Sequence, residues 1–418
     1  MRIAMFTNEY PPHVYGGAGV HIEYLARELA AAEGGTHSID VFPFGEQRET
    51  LGNLRVQGVA PALRFSAQDP RHAKLLDALL RDLAMVSAVQ SPDIVHCHTW
   101  YAHLAGCLAR PLTGAKLVLT THSLEPHRPW KVEQLGSAYH ATTWIERTAY
   151  ENADGVIAVS KAMKQDVQNL YGVPPDRVRV IHNGIDLDEY RPRQAPTTVR
   201  EVGVDPEIPI VLFVGRITRQ KGILHLVRAI RHLQPGVQVV LCAGAPDTDA
   251  IAQEMTTLVD EAKREAAAKV IWIPEMLPKK VVIALYSHAA VFVCPSVYEP
   301  FGIINLEAMA CETPVIAAEV GGIPEIVVPG ETGILVPFEA EGGGSAEPRD
   351  PDRYSRALAS AINDLMGAPE RRTAMGKASR ARVLANFSWQ YIAGVTLDFY
   401  RDLLGEEKRR QARSAVHD

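Results

Sequence analysis

Short apolar runs rich in Val and Ile recur along the chain, each closed by a polar or glycine-bearing turn and followed by apolar residues at helical spacing. Parallel strands buried on both faces, connected by crossover helices, leave this pattern. The first half carries such runs at residues 2–7, 39–42, 93–98, 116–122, 155–160 and 178–182, and a second series follows at 208–215, 237–244, 270–274, 291–296, 314–318 and 333–337. Two doubly wound sheets accommodate twelve strands better than one. The expected class is therefore α/β with two domains. Between the series, 188–209 contains RPRQAPTT and two further prolines, which suits an exposed linker. The expected domains are 1–188 and 189–392. The stretch 339–352, EAEGGGSAEPRDPD, reads as a surface loop, and the charged end from 406 on, EEKRRQARSAVHD, as a helix end or frayed tail.

Composition narrows the classes. A length of 418 residues agrees with two cores, and 47% hydrophobic with 22% charged residues is ordinary globular usage. The formal net charge of -6 argues against a nucleic-acid partner, which calls for a clustered basic surface. Five cysteines, Cys97, Cys107, Cys242, Cys294 and Cys311, show no CxxC spacing and read as reduced core thiols. The apolar run after Arg2 is too short for a signal-peptide core, and no stretch approaches the roughly 18 apolar residues of a membrane span. The expected location is the cytoplasm.

Candidate chemistry concentrates in VYEPFGIINLEAMACETP. A strand ends near Ser296, a turn carries Pro300 and Gly302, and 303–311 reads as a helix. Ligands of open α/β sheets lie at the carboxyl ends of strands, so this turn is well placed for a site. Glu299 and Glu307 stand eight residues apart, roughly 12 Å if helical throughout. That spacing excludes the paired carboxylates of a glycosidase acting on one bond. It suits the two ends of a nucleotide-diphospho-sugar, with the diphosphate over the helix N-terminus between them. In GRITRQKG, Arg216 and Lys221 offer a planar fork and a mobile point charge to the same phosphates.

The first loop, NEYPPHVYGGAGVHIEYL, places Gly16, Gly17 and Gly19 before an amphipathic helix and permits close backbone approach to phosphate or sugar. A dinucleotide fingerprint would want glycine where Ile22 stands and a tighter turn than this Pro-Pro loop, although Asp40 lies at the expected distance. His96 and His98 share one strand face, too few ligands for a metal centre. The triplets at 186–188 and 247–249 precede the linker and start a helix, respectively, and no metal site is assigned. In SLEPHRPWKVEQ, Arg128 and Lys131 flank Trp130. This could bind a phosphorylated acceptor, or equally be a loop anchored by a buried Trp.

Taken together, YGGAGVH, DIVHCHTW, TTHSLEPHRPWKVEQLG, GVIAVS, HNGID, GRITRQKG and the E-x7-E element resemble the retaining glycosyltransferases of family 4 over nearly the whole chain. NEYPPHVYGGAGVH and THSLEPHRPWKVEQLG are similar to the actinobacterial-type glycogen synthases of that family. Val14 and Tyr15 stand where the older bacterial glycogen synthases carry the Lys-Thr of their Lys-Thr-Gly-Gly pattern.

The resemblance implies two facing Rossmann-like domains of GT-B type with an active-site cleft between them, and a terminal helix at about 393–418 packed back on the first. It implies glucose transfer from ADP-glucose to glucose-1-phosphate, giving α-maltose-1-phosphate, or to an α-glucan, with retention of configuration and without metal or cofactor. Carried onto matching positions, Arg216 and Lys221 contact the donor phosphates, Glu299 the hexose with Phe301, Gly302 and Ile303 nearby, and Glu307 the ribose. His122 faces the sugar and Gly17 the phosphates, with Tyr15, His98, Arg128 and Lys131 toward the acceptor. The base is not legible from residues, 274–277 being only a candidate loop. The alternatives are a UDP- or GDP-sugar donor with another acceptor, a phosphorylase, and a sugar-nucleotide-binding protein without turnover. A homodimer is compatible with the sequence.

Overall fold

The computed structural model describes residues 1–418 except 62, 64, 343, 344 and 406–418, so the reading of the charged tail lies outside the described residues. The chain divides into two compact units: Met1–Gly184 with the segment from Trp389 on, and Ile185–Ser388. The division expected after residue 188 thus moves four residues earlier, and the last segment rejoins the first unit.

The first unit is built on an eight-stranded sheet: β1 (Arg2–Thr7), β2 (Ser38–Pro43), β3 (Arg48–Leu51), β4 (Leu54–Gln57), β5 (Ile94–His98), β6 (Lys116–Thr121), β7 (Gly155–Ala158) and β8 (Val178–Val180). Spatial order is β3-β4-β2-β1-β5-β6-β7-β8. All pairings are parallel except β3 with β4. That antiparallel edge pair escapes the apolar-run criterion because β3 is exposed throughout and both strands carry charged residues. Order reverses at β1, which lies between β2 and β5, so the carboxyl ends of β1 and β5 open onto a crevice.

The second unit holds a six-stranded parallel sheet: β9 (Ile210–Arg216), β10 (Gln238–Gly244), β11 (Lys269–Ile273), β12 (Ala289–Cys294), β13 (Val315–Ala318) and β14 (Gly333–Val336), in the order β11-β10-β9-β12-β13-β14. Here the reversal falls at β9, beside β12. Strand β10 is buried along its whole length, as a central parallel strand covered on both faces must be.

Two expectations are corrected. The stretch at 188–209 is packed, not an exposed linker: Arg193 N–H donates to Ser287 Oγ at 3.0 Å and Ala195 N–H to His288 Nε2 at 3.1 Å. Helix Pro196–Glu201 buries Val199. Pro196 starts a helix, and donors along the stretch bond both side chains and backbone carbonyls, as Asp205 N–H does with Gln238 and Gly203 N–H with Arg200. The stretch at 339–352 forms a two-stranded antiparallel hairpin, β15 (Ala340–Gly342) with β16 (Ser345–Pro348). Glu347 fixes it to the sheet domain through His225, 3.1 Å away.

The last helix, Trp389–Leu404, starts earlier than the expected 393 and lies against helix Gly17–Gly35 in the first unit. Trp389 stacks on Tyr24 at 5.9 Å, and its indole covers Gly184, where an added Cβ would come within 2.6 Å. Deeper in, Tyr400 bonds His96 Nδ1 at 2.6 Å, while His96 Nε2 meets Thr120 Oγ1 at 2.6 Å. His96 therefore has both nitrogens occupied in a site closed to water. Tyr400→Phe should leave His96 Nδ1 buried without a partner and destabilise the protein by about 1–3 kcal/mol, read as a lower urea midpoint at unchanged slope.

Candidate active site

In the second unit, β9 ends at Arg216 and β12 at Cys294, one on each side of the strand-order reversal. Each strand hands the chain to a loop bearing one half of a charge pair. After β9, Thr218 Oγ1 caps a single helical turn by accepting from Lys221 N–H at 3.2 Å, and Gly222 follows at φ +60°. A Cβ at Gly222 would lie 2.0 Å from the Pro295 carbonyl oxygen, so only glycine permits the two loops to meet. Val297 N–H then donates to the Gln220 carbonyl at 3.0 Å. On the other side, Gly322 N–H bonds the Glu299 carbonyl at 3.0 Å, and Gly321, at φ +53°, admits that carbonyl where a Cβ would be 2.0 Å away. The turn carrying Glu299 is thus held by backbone from both flanks.

This frame sets Lys221 Nζ 2.7 Å from Glu299 Oε2, with Ser296 Oγ donating to the same oxygen at 3.1 Å. Burial disfavours the Lys221 charge, but Glu299 and Cys294 outweigh it and raise the ammonium pKa. The lysine stays charged. Arg216 is paired elsewhere, with Asp247 at 2.6 Å, and its own side chain is still 43% exposed, which leaves part of its fork open to an anion.

Gly302, at φ +103°, starts helix Ile303–Ala310, and no side chain caps it. The first-turn N–H groups and the dipole there favour an anion. Phe301 is buried against Phe387, and Ile303 is buried in the first turn. One turn on, Glu307 accepts from Tyr190 OH at 3.2 Å and Tyr286 OH at 3.0 Å. Burial pushes its pKa up to about 7 against the pull of those two hydroxyls. Glu299 and Glu307 have separate partner sets.

In the first unit, Glu9 Oε2 accepts from the N–H groups of Tyr15 and Gly16, both at 2.9 Å. This folds the glycine loop so that Gly17 opens the helix, with Tyr15 exposed. His98 closes β5 and His122 follows β6; His98 Nδ1 and His122 Nε2 stand 3.0 Å apart. His21 joins them from the helix, its ring 4.8 Å from that of His122, and bonds Asn183 Oδ1 at 2.7 Å. Counting ligands along β5 alone misses this: His21, His98 and His122 bring one nitrogen each to within 4.8 Å of one another. Burial drives all three toward the neutral form, His21 to about 4.

Arg128 and Lys131 lie on the segment after His122. Arg128 contacts Ser123 Oγ at 3.3 Å and the Glu125 carboxylate at 3.5 Å, and Lys131 reaches Gln134 at 3.1 Å. Trp130, half-buried, caps the short helix Lys131–Leu135, so the stretch is at least a structured loop. Beneath it, Glu146 accepts from Glu125 N–H at 2.9 Å and carries a pKa raised to about 8 by burial and the nearby Glu125. Sequence reasoning did not find His21, Asn183, Tyr190, Tyr286 or Ser296, whose partners lie 3 to 162 residues away.

Two Rossmann-like units with parallel sheets, each with polar side chains at its strand-order reversal, define a glycosyltransferase of GT-B type. The family model Glycosyltransferase Family 4 matches residues 15–189 and Glycosyl transferases group 1 matches 195–382. The alpha-maltose-1-phosphate synthase of Mycolicibacterium smegmatis is 48% identical over 405 residues, 96% of this chain and 99% of its own length. A glycogen synthase of Mycobacterium tuberculosis is 29% identical, covering 100% of this chain and 98% of the relative. Among solved structures, a sucrose-phosphate synthase from Thermosynechococcus elongatus superposes with a TM-score of 0.77 at 27% identity, covering 97% of this chain and 99% of that one. The chain belongs to glycosyltransferase family 4. Among the described residues, no helix is long and apolar enough to cross a membrane.

The Glu307 carboxyl gives a pH signature. Its pKa is about 7 in the fold against 4.5 normally, so between those values the native state holds a proton that the unfolded chain has released. Its contribution to stability falls as pH rises across that window. Glu307→Gln removes the titration, so the melting temperature of the variant minus that of the wild type should grow between about pH 5 and about pH 8. A constant difference would exclude the raised pKa.

Proposed function

We propose that the chain transfers glucose from ADP-glucose to glucose-1-phosphate, making α-maltose-1-phosphate, and to the end of an α-1,4-glucan, with retention of configuration. The observation that carries this reading is the Lys221–Glu299 pair, clamped at the strand reversal beside an uncapped helix start. The relative at 48% identity, an alpha-maltose-1-phosphate synthase, supports the sugar-phosphate acceptor, and the glycogen synthase relative supports the glucan.

In this reading Glu299 accepts hydrogen bonds from hexose hydroxyls and Glu307, ionised, from the ribose. The donor's diphosphate lies over the first turn of helix Ile303–Ala310, near Phe301, Gly302 and Ile303. As the bond to the sugar breaks, negative charge grows on the diphosphate. Arg216 and Lys221 offset it together with the helix N–H groups, a role that needs fixed positive charge and no metal. The departing phosphate takes the acceptor's proton as the acceptor oxygen attacks from the same face. Gly17 approaches the phosphates and His122 the hexose, and Tyr15, His98, Arg128 and Lys131 serve the acceptor. Five unpaired thiols fit a cytoplasmic enzyme. A UDP- or GDP-sugar donor is the second reading, since the base contacts follow no residue pattern in this chain.

Incubation with ADP-, UDP- or GDP-glucose and either glucose-1-phosphate or glycogen should release nucleoside diphosphate fastest with ADP-glucose, in EDTA as well as without it. Glu299→Gln and Lys221→Ala should each lose at least about a hundredfold in kcat while keeping the wild-type circular dichroism spectrum. Full activity in either variant would break the donor model.

Lys131→Ala should raise KM for glucose-1-phosphate by about tenfold and leave KM for the donor unchanged. Unaltered acceptor kinetics would remove Lys131 from the site.

A further inference from the structure

The histidine cluster of the first unit holds more than one face for a sugar. His21, 2% exposed, comes from helix Gly17–Gly35; His98, fully buried, from the end of β5; and His122, half-buried, from the residue after β6. Three elements that are remote in sequence converge on one point. Neutral imidazole carries one N–H and one bare lone pair, so the partner of each ring decides which nitrogen is free. Asn183 Oδ1 can only accept, which places the His21 proton on Nδ1 and leaves a lone pair on Nε2. Among the described residues that Nε2 is buried without a hydrogen-bond partner, and His98 meets His122 through Nδ1 at 3.0 Å. A buried lone pair without a partner is costly unless something binds it.

We propose that His21, His98 and His122 form a binding site for a divalent transition-metal ion of the Zn²⁺ class. Three uncharged nitrogen ligands suit Zn²⁺, Co²⁺, Ni²⁺ or Cu²⁺ and do not suit Mg²⁺ or Ca²⁺, which take oxygen. A tetrahedral zinc with Zn–N of about 2.0–2.1 Å sets its ligands roughly 3.3 Å apart. The ligand nitrogens lie within 4.8 Å of one another; His98 Nδ1 and His122 Nε2, 3.0 Å apart, share one proton in a hydrogen bond, and the ion takes the place of that proton as His21 Nε2 turns in. The Asn183 bond is the outer contact that orients a ligating imidazole and fixes its tautomer. His96 is excluded as a ligand because Tyr400 and Thr120 occupy both its nitrogens. The half-buried side of His122 leaves an entry path and a fourth position for water.

An ion bound there takes up His122. If His122 meets the hexose, a consequence that rests on the proposed function, ion and donor exclude one another and the metal acts as a brake on transfer.

The full chain, stripped with EDTA and dialysed, is titrated with Co²⁺ and then Zn²⁺, following the visible band of four-coordinate cobalt and the heat of binding. One Co²⁺ per chain, displaced by Zn²⁺, is expected. His21→Ala and His98→Ala should abolish the band. Asn183→Ala, which keeps every ligand and tests the site should a histidine variant fail to fold, should weaken binding about 10–100-fold. Replacing the exposed His140 should change nothing. No cobalt band, or equal affinity in the wild type, His21→Ala and Asn183→Ala, overturns the site. Inhibition of nucleoside-diphosphate release by Zn²⁺ supports both the site and the brake. Metal binding with transfer undiminished upholds the site and counts instead against His122 at the hexose.

Discussion

A parallel sheet can open a crevice at its carboxyl edge only where strand order reverses, because there the two neighbouring loops run away to opposite faces. In this chain the reversal falls at β1 beside β5 in one unit and at β9 beside β12 in the other. The chemistry of each unit gathers at that point. Arg216 ends β9 and Lys221 follows it, Ser296 and Glu299 follow β12, the glycine loop follows β1, and His98 ends β5. Moving any of these residues to another strand end would leave it without the neighbour it now has.

Backbone packing converts that topological opportunity into fixed geometry. The Glu299 turn is flanked by Gly222 and Gly321, both left-handed and both too close to a facing carbonyl for any side chain. A lysine and a glutamate held 2.7 Å apart with little solvent would be a poor source of stability, since desolvation offsets most of their attraction. Their value is that neither needs to reorganise when a charged ligand arrives. Glu307 shows the opposite arrangement, a buried carboxyl held by two tyrosine hydroxyls and no bonded cation among the described residues, and burial raises its affinity for a proton although both hydroxyls pull the other way.

Twelve strands were legible because the central ones, buried on both faces, are apolar almost without interruption, and the edge strands β8, β11 and β14 keep Val or Ile within their runs. The edge pair β3–β4 was not, because its exposed surface allows Arg, Glu and Gln. Arg216, Lys221, Glu299 and Glu307 could be found from two strand-end turns and the helix that follows one of them, all local features. Tyr190 could not: it lies in a proline-rich stretch that resembles a linker, and its hydroxyl meets a carboxylate 117 residues away. His21 was passed over for the same reason. On a helix it looks like one more core position, and only the fold shows that β5 and β6 end beside it.

The same logic explains why the first unit can keep the six ring nitrogens of His21, His96 and His98 out of water without a compensating acid. Burial keeps each imidazole in its neutral form with a single N–H, so the cluster holds no like charges to repel. What remains is a demand for partners. Asn183, Thr120 and Tyr400 meet it on the outer side, and the helix Trp389–Leu404 has to return to the first unit for one of those three to be present. His98 meets the half-buried His122 through Nδ1, and His21 Nε2 has no partner among the described residues, so the return of the last helix shapes the site from behind: by occupying His96 it fixes which nitrogens are spent on the fold and which remain for a ligand.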